Sequence, residues 1–249
     1  MSTSLTAMGR RVYVIGIGPG GFGQLTLDAV EAMNHVDVFL VGDHIDDQPE
    51  LVWLRSELLR RHVNRPHRVI TVLDPNRQHP GDVDAGRLAT YSHILAGLAA
   101  DDAVGFLAWG DPGLYDSILR VVDALRDKLA LDVTVIPGVS ALQVLAAAHQ
   151  IALNAGASVH ITTGARLLAE YRPDLGDVVV MNDGELACRG LVEEFPDIEV
   201  FWGAYLGTPD QVLANGPLRT VAGELADLRR RLVDHHGWIL DTYLLRPVH

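Results

Sequence analysis

Apolar and polar positions alternate in short blocks along the first half of the chain. Val12 to Ile15, Val36 to Val41, Val69 to Leu73, Ala103 to Trp109 and Val133 to Ile136 are apolar runs. Runs of this length, rich in Val and Ile, predict strands buried on both faces. Between them Leu27 to Met33, Leu51 to Arg61, Arg87 to Leu98 and Leu114 to Leu129 carry helical spacing. In the second of these, Leu51, Leu54, Leu58 and Leu59 share one side and Arg55, Arg60 and Arg61 lie elsewhere. Strands alternating with helices predict a parallel sheet covered on both faces, with ligands at the carboxyl ends of its strands. After Asn154 the texture changes. Val159 to Thr163, Asp177 to Met181, Ile198 to Trp202 and Trp238 to Tyr243 are strand candidates separated by polar helices such as Glu224 to Val233. The pattern predicts two α/β domains, 1–152 and 153–249, with the boundary inside Ile151 to Gly156. A crevice between domains is a usual place for a small molecule.

The first strand runs into Gly16-Ile17-Gly18-Pro19-Gly20-Gly21-Phe22-Gly23, and two readings compete for that loop. Gly16, Gly18 and Gly21 satisfy G-x-G-x-x-G, and Asp43 stands where an acidic ribose ligand is expected, which points to NAD. A dinucleotide site, however, needs a helix to start within the glycines, so that free N–H groups face the pyrophosphate. Pro19 removes one N–H and biases Gly18 away from the helical region. The next good N-cap is Thr26, with Asp28 and Glu31 in the turns behind it. An open loop that lies along a flat ligand is therefore predicted. Gly110-Asp111-Pro112-Gly113-Leu114-Tyr115 and Pro137-Gly138-Val139-Ser140-Ala141 end two further strands in the same style. Three such loops at one sheet edge predict a binding crevice.

Charge narrows the ligand. The chain of 249 residues carries a net charge of −12, which argues against nucleic acid and anionic membranes as partners. Lys128 is the sole lysine, so arginine carries nearly all positive charge and can grip carboxylates bidentately. Arg55, Arg60, Arg61, Arg65, Arg68, Arg77 and Arg87 concentrate in one stretch. Arg77 and one of Arg55 to Arg68 are expected to face the ligand. Met1 to Arg11 lacks an apolar signal region, no run is long enough to span a membrane, and Cys188 is the only cysteine. A cytoplasmic protein is expected. The histidines show no metal-ligand spacing, so no metal is expected.

With these loops in hand the chain resembles the tetrapyrrole methylases. Gly16-Ile17-Gly18-Pro19-Gly20 with Leu25-Thr26, Gly110-Asp111-Pro112 with Tyr115, and Ile136-Pro137-Gly138-Val139-Ser140 carry the likeness, which spans about residues 11 to 216. Trp202-Gly203-Ala204-Tyr205-Leu206-Gly207-Thr208-Pro209-Asp210 departs from the Glu-Asn-Ala/Gly-Thr run of other members and marks a subgroup. The resemblance implies an α/β, two-domain tetrapyrrole methylase fold (class III SAM methyltransferase), with a parallel-sheet N-terminal domain, a mixed-sheet C-terminal domain and the site in the cleft between them. It implies S-adenosyl-L-methionine (SAM) as methyl donor, S-adenosyl-L-homocysteine as product, a small-molecule tetrapyrrole as acceptor and a homodimer. Carried over residue by residue, Pro19, Trp109, Gly110, Asp111, Leu114, Ser140, Ala141, Met181 or its neighbour Asn182, and Ala204 would touch SAM.

Methyl transfer itself chiefly needs alignment. Where proton transfer accompanies it, a general base is needed. Asp111 and Tyr115 are the favoured catalytic candidates, with Asp43 and His149 as others by loop position; each is weighed against a role as a loop anchor. Arg77 and Asp43 are the substrate-binding candidates. Two other functions stay open: an NAD-dependent oxidoreductase using the Gly16–Gly18–Gly21 loop, and a non-catalytic ligand sensor on the same fold. The Arg77→Ala variant is expected to raise the KM for the tetrapyrrole in steady-state assays; an unchanged KM removes Arg77 from the site.

Overall fold

The computed structural model describes residues 9–43, 49–73, 80–154 and 158–248. Five parallel strands form the first sheet: β1 (Arg10–Gly16), β2 (Val38–Asp43), β3 (Arg68–Leu73), β4 (Val104–Ala108) and β5 (Leu131–Ile136), in the order β3-β2-β4-β1-β5. Side chains alternate between its faces. Ile15, Phe39, Val41 and Leu107 meet α1 (Leu27–Met33) and α2 (Pro49–His62) on one side. Val12, Val14, Val38, Leu40, Val104 and Phe106 meet α3 (Pro80–Gly97) and α4 (Ile118–Arg126) on the other. Each fully buried aliphatic side chain contributes about 1.5–3 kcal/mol, so two covered faces make this sheet a rigid platform.

Local chemistry sets where the helices begin. Thr26 Oγ1 accepts the Ala29 N–H at 3.0 Å, so α1 starts at Leu27, beyond every glycine of the first loop and beyond the 3-10 turn Phe22–Gln24. The late start expected from Pro19 is what the chain adopts. By contrast, α4 begins at Ile118 and not at Leu114. Gly110 at φ 62° and Tyr115 at φ 55° break helical geometry through the intervening loop.

The second sheet comprises β6 (Val159–Thr163), β7 (Asp177–Met181), β8 (Glu199–Ala204), β9 (Val212–Pro217) and β10 (Asp241–Arg246), in the order β6-β7-β10-β8-β9. β6 and β7 are parallel and the remaining neighbours antiparallel, so the sheet is mixed. Strand β9 escapes sequence reading because Gly216 and Pro217 interrupt its pattern; a half-exposed edge strand tolerates both. The last strand lies later than Trp238 to Tyr243. Gly237, at φ 76°, ends α7 (Leu218–His236), and Trp238 turns its ring onto Tyr205, 5.1 Å away, before Asp241 joins the sheet.

Contacts divide the chain into two units. One runs to Gly18 and from Phe22 to Val139; the other takes Pro19–Gly21 and Ser140 onward. This division lies before the 152/153 boundary read from sequence texture. The cause is α5 (Ala141–Ala148): His149 at its end donates from Nε2 to the Trp202 carbonyl at 3.0 Å and packs edge-on against Phe201. A helix joined to strand β8 this way belongs to the second unit.

The second core closes over a buried polar network. Asp241 Oδ2 accepts from Trp202 Nε1 at 2.9 Å and from Arg229 Nε at 3.0 Å. Asp183 accepts from the Tyr243 hydroxyl and from the Glu185 and Ala187 N–H groups. Cys188 lies fully buried beside Tyr243, and desolvation pushes its thiol up to about 12. A thiol held in that state is a packed side chain and a poor nucleophile. Native protein is accordingly expected to resist alkylation by iodoacetamide at pH 8, with labelling appearing only in denaturant; mass spectrometry decides, and rapid native labelling would contradict this burial.

Candidate functional site

The carboxyl ends of β1, β4 and β5 come together because three of their residues have no side chain. A Cβ on Gly138 would lie 2.1 Å from the Gly110 carbonyl oxygen, and one on Gly16 would lie 2.5 Å from the Gly138 nitrogen. Real Cβ atoms cannot approach so closely. Gly18 and Gly110 exchange N–H···O bonds of 3.2 and 2.9 Å, closing a short antiparallel bridge between the first loop and the loop after β4. Asp111 completes the knot. Its Oδ1 accepts the Gly113 N–H at 2.8 Å and its Oδ2 accepts the Gly138 N–H at 2.9 Å. Both oxygens of this catalytic candidate therefore fasten loops. Leu114 N–H donates to the Asp111 carbonyl at 3.1 Å, so Trp109, Gly110, Asp111 and Leu114 sit on one rigid turn.

The second unit gathers the remaining candidates at its own strand ends. Met181 closes β7 and Ala204 closes β8, and they pair with Thr242 and Asp241, adjacent residues of β10. Asn182 follows Met181 at φ 51°, exposed, while Asp183 beneath it is held by the buried network. Arg229 fixes the same turn by donating to the Asp183 and Gly184 carbonyls, each at 2.7 Å. Pro19 is buried, and next to it Gly20, at φ 153°, leaves no room for a Cβ beside Thr208 Cγ2, 2.5 Å away. Ser140 is 1% exposed, and its hydroxyl and N–H both point to Gln143 Oε1, at 2.6 and 3.0 Å, securing the first turn of α5 ahead of Ala141. His149 spends its ring on the Trp202 carbonyl.

A cavity of about 200 Å³ opens in the first unit beside the Trp109–Ile118 loop. Its wall includes Gly42, Arg55, Arg87, Trp109, Tyr115 and Asp116. The Arg55 guanidinium lies 4.7 Å from the Trp109 ring centre and donates to the Gly42 carbonyl at 3.1 Å. Arg87 donates to the Ser117 hydroxyl. Burial pushes the Asp116 carboxyl above its usual range, while the Ile118 N–H and the charges of Arg87, Arg55 and Arg120 pull the other way. Asp116 Oδ1 accepts the Ile118 N–H at 2.7 Å at the head of α4.

Sequence reasoning brought Tyr115 and an arginine of the Arg55–Arg68 group to the ligand, and both Tyr115 and Arg55 line this cavity. It missed Asp116 and placed no weight on Arg87. In sequence Asp116 falls in the first turn of the helix expected from Leu114, where an acidic residue merely suits the helix dipole. Arg60, Arg61, Arg65 and Arg68 turn instead to Glu57, Asp37 and Asp102. Asp43 ends β2 opposite Leu73, and Arg77 lies outside the described residues.

Comparison with known proteins finds the family Tetrapyrrole (Corrin/Porphyrin) Methylases matching residues 11–222. A Sinorhizobium protein named precorrin-6A synthase [deacetylating] is 36% identical over 250 residues, covering 95% of both chains. A solved structure from Corynebacterium diphtheriae, described as related to cobalamin synthesis (CobF), is 37% identical with a TM-score of 0.83, covering 97% of this chain and 100% of that one. The cobalt precorrin-4 methyltransferase CbiF shares the fold at a TM-score of 0.65 and 17% identity, covering 98% of each chain.

Two backbone N–H groups depend on Asp111, and an orphaned buried donor costs about 1–3 kcal/mol. Asp111→Ala is therefore expected to lower unfolding stability by about that amount per lost bond in urea titrations. Asp111→Asn, which keeps one acceptor oxygen, is expected to lose less. Equal stability of all three proteins would show that the loops do not need this fastening.

Proposed function

The chain belongs to the tetrapyrrole methylase family, and on that premise we propose that it is a SAM-dependent C-methyltransferase with precorrin-6A synthase (deacetylating) activity. It methylates carbon 1 of precorrin-5 and releases acetate, in cobalamin biosynthesis. The observation that carries this reading is 36% identity to a precorrin-6A synthase over 95% of both chains. The loop geometry supports it chemically. A helix capped at Thr26 presents no N–H groups to a pyrophosphate at Gly16 to Gly21, which disfavours the oxidoreductase.

The donor carries its own activation, because the sulfonium becomes a neutral thioether as the methyl leaves. The protein's task is to align methyl and acceptor carbon, where proximity can supply about 7–11 kcal/mol. Knotted loops suit that task. Gly16, Gly110 and Gly138 fix the turn that bears Trp109 and Leu114, and the buried network fixes Met181, Asn182 and Ala204. Pro19, Trp109, Gly110, Asp111, Leu114, Ser140, Ala141, one of Met181 and Asn182, and Ala204 are the proposed donor contacts. Their backbone groups and apolar surface suit a thioether, an adenine and a ribose better than a phosphate.

The reading includes a homodimer in the cytoplasm. Cys188 as the single, buried cysteine suits a reducing compartment. Among the described residues no helix is long and apolar enough to cross a membrane.

Calorimetric titration is expected to show binding of SAM and S-adenosyl-L-homocysteine and none of NAD. With methyl-labelled SAM and precorrin-5, label should enter the tetrapyrrole with one acetate released per methyl. Binding of NAD, or donor binding without turnover, would redirect the assignment to an oxidoreductase or a ligand sensor.

A further inference from the structure

Acetyl release makes a chemical demand that alignment cannot meet. Water must add to a ketone and a carbon–carbon bond must break, so a group that accepts the water proton is needed. Asp111 is a poor choice, since both its oxygens hold backbone N–H groups. His149 has its Nε2 on the Trp202 carbonyl. The cavity of the first unit holds a carboxylate, Asp116, that commits only Oδ1 to a backbone N–H, that of Ile118.

Resting on the function proposed above, we propose that Asp116 is the general base for acetyl removal and that the Arg55–Arg87 cavity receives the acetyl group and the departing acetate. The argument is one of placement. The cavity shares Trp109 with the proposed donor contacts, and the loop from Trp109 to Ile118 is continuous between the two. At about 200 Å³ it has room for a two-carbon acyl group with water. Among the described residues two arginines and one carboxylate line it, so guanidinium groups stand beside an anionic product while the acidic group takes the proton. Arg55 and Arg87 are braced, by the Gly42 carbonyl and Trp109 ring and by the Ser117 hydroxyl respectively, so their charges are held in place.

The step balances as follows. Water oxygen bonds to the acetyl carbon, one water proton passes to the Asp116 carboxylate, and the carbonyl pair moves onto oxygen beside the arginines. Collapse reforms the carbonyl and breaks the bond to the macrocycle. The freed pair stays on the ring carbon, where it forms the bond to the donor methyl as the sulfonium becomes a thioether. Acetic acid leaves and ionises, and Asp116 returns its proton to solvent. Burial holds the Asp116 carboxyl above the ordinary range, which strengthens it as a base. Arg87 from α3, Arg55 from α2 and Arg120 from α4 oppose that rise, and Tyr91 and Tyr115 also line the cavity.

The Asp116→Asn variant keeps an oxygen for the Ile118 N–H and removes only the base. It is expected to bind S-adenosyl-L-homocysteine as the wild type does in calorimetry, while acetate release falls by about a hundredfold or more. The wild-type rate should rise with pH through an ionisation above the ordinary aspartate range, and that limb should vanish in the variant. Gly42→Leu is the second test. A Cβ at Gly42 meets no atom within 4 Å, and Gly42 is part of the cavity wall, so a bulky side chain there is placed to fill the cavity. It is expected to abolish acetate release with homocysteine-product binding kept, and it decides the matter should Asp116→Asn not fold. Wild-type acetate release by either variant overturns the inference and leaves the methyltransferase reading standing. A lower KM in Asp116→Asn with one acetate still released per methyl also overturns it, making the cavity an anchor for a substrate carboxylate. A wild-type enzyme that binds the donor but releases no acetate from precorrin-5 takes down both.

Discussion

The structure depends on three peptide segments approaching more closely than any side chain allows. Gly16, Gly110 and Gly138 stack at the rim of the first sheet with separations that a single methyl group would violate. The contact is between backbones, so it is stiff, and its energy comes from hydrogen bonds that the approach makes possible. The Gly18–Gly110 bridge and the paired Asp111 bonds are those gains. Loops at a sheet rim ordinarily move more than the strands that bear them. Here they inherit the rigidity of the platform. A methyl transfer that relies on alignment gains directly from that stiffness, because a misplacement of about 1 Å can cost a hundredfold in rate.

Much of this was legible in the sequence, and the legible parts share a cause. Val and Ile runs named the five parallel strands because buried strands must be apolar on both faces. Thr26 named the start of α1 because a capping hydroxyl acts over three residues. The Gly–Pro loops named the rim because their chemistry is local. What escaped was decided by distant partners. Nothing in Ala141 to Ala148 tells which sheet it joins; the Trp202 carbonyl and Phe201 decide that. Strand β9 is a strand because β8 offers it an edge. Asp116 looks like any aspartate in the first turn of a helix until Arg55 and Arg87, from two other helices, close a cavity around it.

The arginines make the same point about charge. Those from Arg55 to Arg87 look alike in sequence, yet most complete exposed pairs: Arg60 and Arg61 on Glu57, Arg65 on Asp37, Arg68 on Asp102. Exposed pairs contribute little to stability, about 0–1 kcal/mol, and are screened by salt. Their effect is to spend charge at the surface. The result is an acidic exterior, −12 overall, while Arg55 and Arg87 turn inward to line the cavity of the first unit. An anionic substrate meets repulsion at long range and attraction only on contact. Such a field favours a ligand able to reach those two arginines over anions in general.

The second unit reaches rigidity by the opposite means. Where the first removes side chains, the second buries charged ones: Asp241 between Trp202 and Arg229, Asp183 under Tyr243, Arg246 on Asp177. Buried charges are weak sources of stability, because desolvation offsets the attraction. Their value is directional. Asp241 is the β10 residue paired with Ala204, and Arg229 reaches from it to the Asp183 and Gly184 carbonyls that follow Asn182. One guanidinium therefore sets the backbone at the ends of both β7 and β8. An apolar replacement of the network could match its packing, but it would leave the turn at Asn182, φ 51°, with nothing to hold its carbonyls. The polar core is thus explained by the position of Met181, Asn182 and Ala204 more than by the stability of the sheet beneath them.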